Sequence, residues 1–196
     1  MSEQEITMLS RGDARQILSE YGGKAMWVNH CIAVASLADY LAPIIRKHHD
    51  IDADFLWSAA LLHDIGRHVT HDPVGHGAAG YNLLMELDHP EEAYVCASHV
   101  LFGLTADEAA QFGLPRKNFA PQKMEEKLVA LIDYLMEFDK PTTLQSRFSS
   151  LRTRNADNQF FFSRLERAEK AANDFMSVAN STMGQTMKDL LTAYSV

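Results

Sequence analysis

Cysteine and long apolar runs are both scarce in this sequence of 196 residues. The two cysteines, Cys31 and Cys96, do not have the spacing of a disulfide framework or a zinc knuckle, which favours a reducing, cytoplasmic compartment. No apolar run approaches the roughly 18 residues that a membrane-spanning helix requires. Residues 1–5 are polar and acidic, unlike the start of a signal peptide. We therefore expect neither secretion nor insertion into a membrane.

Positive charge is also in deficit. The chain has 18 Lys and Arg residues against 26 Asp and Glu residues, which gives a formal net charge of −8. Binding of extended nucleic acid normally needs clustered basic residues, so the sequence disfavours this class of partner. A small anionic substrate would then rely on bound metal ions for positive charge, because basic residues are few.

Helical periodicity dominates what the sequence does contain. Apolar residues recur at spacings of three and four, and alternation with a period of two is rare, so the chain is predicted to be all-α. Its length is that of one domain with a helical extension. The helices predicted before Pro141 cover approximately residues 13–20, 25–47, 52–66, 76–87, 91–99, 105–113 and 123–138.

The composition changes from Pro141 onward, where histidine is absent and Arg, Asn and Ser are more frequent. Apolar residues recur there at helical spacing, beginning with Leu165 and Ala168. We expect two helices that pack on the core or support a homodimer, and a purely structural role for this segment. The predicted division is a main domain at 1–140 and an extension at 141–196 that packs on it.

Several histidines and aspartates fall on the apolar faces of the predicted helices. Val34 and Leu37 follow His30 by four and seven residues, so this imidazole should point into the core. A single buried histidine is usually a hydrogen-bonded core residue. Several buried titratable groups are costly unless they are paired, and a shared cation would remove that cost. The candidate metal ligands are His30, His63, Asp64, His76, His99 and Asp133.

The order of these residues resembles that of a known family. His30 is followed by His63-Asp64-Ile65-Gly66, and then by two further histidines and a late aspartate, Asp133. This order resembles the HD superfamily of metal-dependent phosphohydrolases, and in particular small uncharacterised HDIG proteins. The resemblance implies an HD-domain helical bundle over 1–140. It also implies a first metal site formed by His30, His63, Asp64 and Asp133, and a second formed by His76 and His99, with Asp64 as the bridge.

The resemblance further implies two divalent transition metal ions per chain. Imidazole and carboxylate ligands suit Mn, Fe, Co, Ni or Zn, and such ions activate water to attack phosphorus. Arg67 could hold a phosphate oxygen, or it could satisfy carbonyl groups at the end of a helix. His71 could donate a proton to a leaving group, or it could cap a loop. Together with Asp64, these two are the candidate catalytic residues.

The expected function is therefore that of a phosphoric ester hydrolase acting on a small phosphomonoester, nucleotide or dinucleotide. Two alternatives stay open. The same fold supports di-iron oxygenases of small polar substrates, and a third interpretation is a non-catalytic regulatory module that binds a nucleotide. Iron with substrate-dependent oxygen uptake would indicate the oxygenase, and phosphate release would indicate the hydrolase.

Overall fold

The computed structural model describes residues 9–194, and the predicted all-α class is confirmed for them. The sequence expectation for residues 1–5 lies outside this range. Two short 3-10 turns lie at Ile65–His68 and Val100–Phe102. The described helices are α1 (Arg11–Gly22), α2 (Met26–Ile45), α3 (Ala53–Leu62), α4 (Gly75–Glu86), α5 (Pro90–His99), α6 (Ala106–Gln111), α7 (Met124–Tyr134), α8 (Leu144–Arg154), α9 (Gln159–Phe162), α10 (Leu165–Met183) and α11 (Met187–Tyr194).

Helix α3 lies at the centre of the fold. Every residue from Phe55 to Leu62 is buried, as expected for a helix that is apolar on all sides. The side chain of Asp52 caps the helix by accepting hydrogen bonds from the backbone N–H groups of Asp54 and Phe55, both at 2.9 Å. Helices α1, α2, α5 and α7 pack against α3. The residues that directly follow α3 therefore enter the interior of the protein.

Helix α2 is long and apolar enough to cross a membrane by length and composition alone, which the sequence analysis did not expect. It packs against α3, α7 and α11, and 50% of its apolar window is buried. A core helix of a water-soluble protein passes the same test. The position of α2 in the bundle accounts for much of its composition, because its buried apolar side chains, such as Val34, Leu37 and Leu41, face neighbouring helices, whereas Met26 and Ile32 are exposed.

The helix predicted to extend to Phe138 ends earlier, at Tyr134. Two short antiparallel strands follow, β1 (Met136–Glu137) and β2 (Lys140–Pro141), and the backbone N–H of Thr142 donates to the carbonyl of Leu135. Phe138 lies in the connecting turn with a φ of 57°, in the left-handed region. The prediction of a continuous helix was wrong because this tight reversal replaces its last turn.

The segment after Pro141 contains four described helices, α8 to α11, where two were predicted. Helix α8 was missed because its sequence is rich in Arg and Ser, although Thr143 caps it by accepting from the N–H of Ser146 at 3.1 Å. Helix α10 packs against α7, α8 and the turn at Val100–Phe102. The segment therefore contacts the helices that precede it, close to the end of α5.

Candidate metal centre

Six titratable side chains converge in the interior of the bundle, and all six were predicted as metal ligands. Their relative positions follow from the helices that carry them. His30 lies on α2, His63 and Asp64 directly follow α3, His76 lies on α4, His99 ends α5, and Asp133 lies on α7. Five of the six residues are buried, and the His30 side chain is 11% exposed.

Asp64 lies between two groups of histidines. Its Oδ1 is 2.9 Å from Nε2 of His76 and 3.6 Å from Nε2 of His99. Its Oδ2 is 3.8 Å from Nε2 of His63 and 4.0 Å from Nε2 of His30. The two oxygens of one carboxylate thus face two different sets of imidazoles, which is the arrangement a bridging ligand needs.

Asp133 closes the group on the His30 side. Its Oδ1 lies 2.9 Å from Nε2 of His30 and 3.8 Å from Nε2 of His63. Two overlapping groups have donor atoms within 4.8 Å of one another, one of His30, His63 and Asp133 and the other of His63, Asp64 and His99. Either group could hold a metal ion, and His63 belongs to both.

The Nδ1 atom of each histidine faces a backbone carbonyl, which orients the ring. The partners and distances are Phe138 for His30 (2.5 Å), Ala60 for His63 (2.7 Å), Asp72 for His76 (2.8 Å) and Val95 for His99 (3.1 Å). Since a carbonyl oxygen only accepts, each Nδ1 carries the hydrogen and donates it. Every neutral imidazole is then left with a lone pair on Nε2, as in metal sites where a carbonyl fixes the tautomer of the ligand.

His76 shows that these residues fit a cation. Burial lowers the pKa of His76, which favours its neutral form. A neutral ring has one hydrogen, yet its Nδ1 faces the Asp72 carbonyl and its Nε2 faces Asp64 at 2.9 Å. One of these contacts would therefore join two acceptors, and a cation beside Nε2 removes the conflict.

His63 leads to the same conclusion. Its Nε2 is buried and has no hydrogen-bond partner within residues 9–194. Burial is the main cause that lowers the pKa of His63 to about 4, so the ring is neutral at pH 7. A buried nitrogen lone pair without a donor is costly, and a metal ion would satisfy it.

The two carboxylates stay ionised although they are buried. Burial alone would raise the pKa of Asp64, but the charge of Arg67 holds it well below its usual range. Arg67 donates from Nε to Oδ2 of Asp64 at 2.5 Å. Burial likewise acts to raise the pKa of Asp133, and the hydrogen bond with His30 together with the charge of Arg147 lowers it. Ionised oxygens are the form that binds a cation.

Two glycines allow the elements around the centre to approach closely. A Cβ atom on Gly66 would lie 1.9 Å from the carbonyl oxygen of His76, and one on Gly77 would lie 2.6 Å from the carbonyl oxygen of Cys96. Real Cβ atoms do not make such contacts. The turn after α3 therefore packs directly on the start of α4, and α4 packs directly on α5.

Two cavities, of about 210 and 330 Å³, open beside the six side chains. The smaller one reaches His76 and His99, and the larger one reaches His30 and the exposed side chains of Met26 and Phe138. The residues that line both cavities are Asp64, Arg67, His71, Arg147 and Arg154.

Both predicted catalytic side chains besides Asp64 lie at the cavities. Arg67 is partly buried through its contact with Asp64, and His71 is exposed. The nearby His68 has its Nδ1 2.8 Å from the carbonyl oxygen of Ile65 and packs edge-on against Tyr21.

Arg147 and Arg154 were not among the predicted site residues, because a purely structural role was expected for the segment after Pro141. The structure places these two residues of α8 beside both cavities. Arg147 is buried, with Nη2 3.4 Å from Oδ1 of Asp133, and Arg154 lies at both cavities. The available signal was their spacing of seven residues, which places both arginines on the helix face of the buried Leu144 and Leu151.

The fold and the site together define an all-α protein with a buried centre of histidines and aspartates that could hold divalent metal ions. The family model described as HD domain matches residues 27–136. The chain belongs to the HD domain family, a superfamily of metal-dependent hydrolases. No solved structure matches this chain.

Three curated relatives are similar to parts of the chain. An uncharacterized protein of Methanocaldococcus jannaschii is 40% identical over 111 residues, which cover 56% of this chain and 65% of the relative. Two proteins named tRNA (cytidine(56)-2'-O)-methyltransferase, from Thermoplasma volcanium and Picrophilus torridus, are 29% and 27% identical. The matches cover 72% and 89% of this chain, but 41% and 48% of those proteins. The chain thus spans less than two thirds of each relative.

Proposed function

We propose that this protein is a metal-dependent phosphohydrolase that acts on a small phosphate ester. The observation that carries the proposal is the set of guanidinium groups around the candidate metal centre. Arg67, Arg147 and Arg154 line both cavities beside Asp64. Guanidinium groups form paired hydrogen bonds with phosphate oxygens, so these cavities favour an anionic substrate over a neutral one.

The proposed ligands are His30, His63, Asp64, His76, His99 and Asp133, with Asp64 as the bridge between two ions. Divalent ions bound there would supply positive charge and lower the pKa of a coordinated water from 15.7 to about 7. The donor set of imidazoles and carboxylates suits Mn, Fe, Co, Ni or Zn.

The chain's own residues have separate tasks in this proposal. The four backbone carbonyls that accept from Nδ1 hold the imidazoles in one orientation. Arg67 binds a phosphate oxygen, because its guanidinium lies next to Asp64 and at both cavities. His71 lies exposed at both cavities and donates a proton to the departing oxygen of the ester.

More than half of each methyltransferase relative lies outside the region that is similar to this chain. The share of each covered by this chain is 41% and 48%. The net charge of −8 also argues against an extended RNA substrate for this chain. These points support a small phosphorylated substrate.

The test combines elemental analysis with assays for phosphate release and oxygen uptake. Protein purified without chelator or affinity metal is loaded in turn with Mn, Co, Zn and Fe, and is given a panel of phosphomonoesters and nucleotides. We expect phosphate release that falls by about 100-fold in Arg67→Gln, since a charged hydrogen bond to the substrate is lost. The matched control is Arg116→Gln, because Arg116 is exposed and pairs with Asp107 away from the site.

Each other outcome overturns the proposal. Two irons per chain with oxygen uptake and no phosphate release would assign the site to an oxygenase. Tight nucleotide binding without turnover under any of these metals would assign it to a regulatory module.

A further inference from the structure

We propose that Arg147 and Arg154 form a second anion-binding subsite, which binds an acidic group of the same substrate beside the reacting phosphate. This inference rests on the proposed phosphohydrolase function and narrows its substrate class. The substrate would be a phosphate ester that carries a second phosphate or a carboxylate a few bonds away.

The position of the two arginines is the first argument. They lie two helical turns apart on one face of α8, outside the matched HD region at residues 27–136. Both side chains line both cavities. Helix α8 thus adds two positive charges to a site whose candidate metal ligands all come from earlier helices.

Arg147 has unused hydrogen-bonding capacity in a buried position. Its exposed fraction is 8%, and its contacts with Asp133 and Glu137 are both long, at 3.4 Å. Its buried Nε has no hydrogen-bond partner in the described part of the chain. A guanidinium has five N–H donors, and a buried donor without an acceptor costs free energy that an anionic ligand would recover.

The local charge balance also favours an anion. Glu137 contacts both arginines, with Oε2 3.4 Å from Nη1 of Arg147 and Oε1 3.1 Å from Nη2 of Arg154. One carboxylate shared by two guanidinium groups leaves one positive charge. Asp133, the other partner of Arg147, is shared with His30 and would be engaged by a cation in the metal centre.

Of the two cavities that the arginines line, the smaller one suits an anion better. Among the described residues that line this cavity, the acidic ones are Asp64 and Asp133, both candidate metal ligands. The larger cavity is also lined by Asp139, which would repel an anion. Asn155 lies at the smaller cavity next to Arg154. Its Nδ2 donates one hydrogen to the Leu151 carbonyl at 2.9 Å, and the second amide hydrogen is available to a ligand.

Calorimetric binding to the manganese-loaded protein tests the subsite with three related ligands. Glycerol 3-phosphate has a single phosphate, 3-phosphoglycerate adds a carboxylate, and 2,3-bisphosphoglycerate adds a second phosphate. We expect the wild-type protein to bind at least one of the two ligands with a second acidic group about 10-fold more tightly than glycerol 3-phosphate. Whichever binds more tightly identifies the second group, and a phosphorus NMR spectrum after each titration verifies that the ligand is intact.

Arg154→Gln should reduce this preference by about 10-fold, whereas Arg154→Lys, which keeps the charge, should retain part of it. Arg152→Gln is the matched control, because Arg152 lies on the same helix but pairs with Glu169 on α10. Arg147 is less suited to the main test because it contacts Asp133. The metal content of every variant is measured so that a loss of metal is not taken for a loss of the subsite.

The outcomes separate this inference from the proposed function. If the wild-type protein binds all three ligands equally, or if Arg154→Gln keeps the full preference, the subsite is refuted and the phosphohydrolase proposal stands. If the metal-loaded protein binds none of the three and releases no phosphate from any ester, both proposals fail together.

Discussion

Nε2 of His76 lies 2.9 Å from Oδ1 of Asp64, while Nδ1 of the same ring lies 2.8 Å from the Asp72 carbonyl. Acceptor atoms therefore face both nitrogens of a ring whose burial favours the neutral form with one hydrogen. The opposite oxygen of Asp64 faces His63 and His30. This relationship makes Asp64 the residue on which both halves of the candidate metal centre depend.

Replacing Asp64 with Ala is expected to abolish metal binding and activity together. The variant loses the carboxylate that both histidine groups share, and it leaves Arg67 without its partner. Elemental analysis should give two metals per chain for the wild-type protein and none for the variant, with phosphate release at background. The control is Asp174→Ala, which removes an exposed charge paired with Lys170. Full metal content or normal turnover in Asp64→Ala would refute the bridging role.

Gly66→Ala is expected to disturb the second half of the centre through the backbone. The new Cβ would lie 1.9 Å from the His76 carbonyl oxygen and 2.4 Å from the backbone nitrogen of Gly80, so α4 must move. We expect a loss of about 3 kcal/mol in the free energy of unfolding, measured in urea, and fewer metals per chain.

The matched control for this prediction is Gly12→Ala. Gly12 lies in α1, where a Cβ would meet its nearest neighbour at an ordinary 3.6 Å. Alanine should leave stability unchanged or raise it, because it favours a helix more than glycine does. Equal stability of the two variants would show that the turn after α3 can relax away from His76.

The sequence predicted the six candidate ligands because their positions are set by helical periodicity. His30 shares its face with Val34 and Leu37, so the formation of α2 is sufficient to turn the imidazole inward. The order of the residues along the chain, through its resemblance to the HD superfamily, then supplied their relation to one another. Helical periodicity and the family order of the residues were thus together sufficient to predict most of this candidate site.

The remainder depends on contacts that are distant in the sequence. The chain from 123 to 138 has a helical pattern with no glycine or proline, yet the helix ends at Tyr134. The reversal that follows brings the Phe138 carbonyl to Nδ1 of His30, a contact across 108 positions. Arg147 and Arg154 were missed for a similar reason, since a polar helix does not show which element it will contact.

Acid is expected to destabilise the metal-free protein through His63. Burial lowers the pKa of His63 to about 4 in the folded state, whereas an unfolded histidine has a pKa of about 6.5. The unfolded state binds more protons between these values. The contribution of the neutral His63 to the free energy of unfolding is therefore present in full above about pH 6.5, and it is lost as the pH falls through about 4.

Urea unfolding of chelator-treated protein at several pH values between about 7 and 4.5 measures this effect. The free energy of unfolding should fall by about 3 kcal/mol over this range because of His63. His63→Phe removes the titrating group and should flatten this part of the pH dependence. The control is His48→Asn, which changes an exposed ring. An unchanged slope in His63→Phe would assign the acid sensitivity to other residues.

Glu108 is expected to stabilise the contact between α6 and the helices after Pro141. It accepts from Arg164 at 2.6 Å and from Arg167 at 2.9 Å. Burial acts to raise the pKa of Glu108, but the hydrogen bonds from Arg167, Thr105 and Arg164 outweigh this and lower it to about 2. The carboxylate therefore contributes stability in full above its usual pKa of 4.5, and this contribution is lost as the pH falls through about 2.

Glu108→Gln should lower the free energy of unfolding by about 1 to 2 kcal/mol at neutral pH, because Arg167 is 46% exposed and solvent screens part of the interaction. The difference from wild type should shrink as the pH is lowered from about 4.5 towards 2, since the wild-type carboxyl group then becomes neutral as well. Asp107→Asn is the control on the same helix, and its exposed pair with Arg116 should contribute less than about 0.5 kcal/mol.

A pH-independent difference for Glu108→Gln would show that the residue acts through the shape and hydrogen bonds of the Thr105 cap, which glutamine alters, and not through its charge. A pH-dependent difference would instead show that the charge of Glu108 stabilises the contact with α10. Because α8 packs against α10, this contact would also support the helix that carries Arg147 and Arg154.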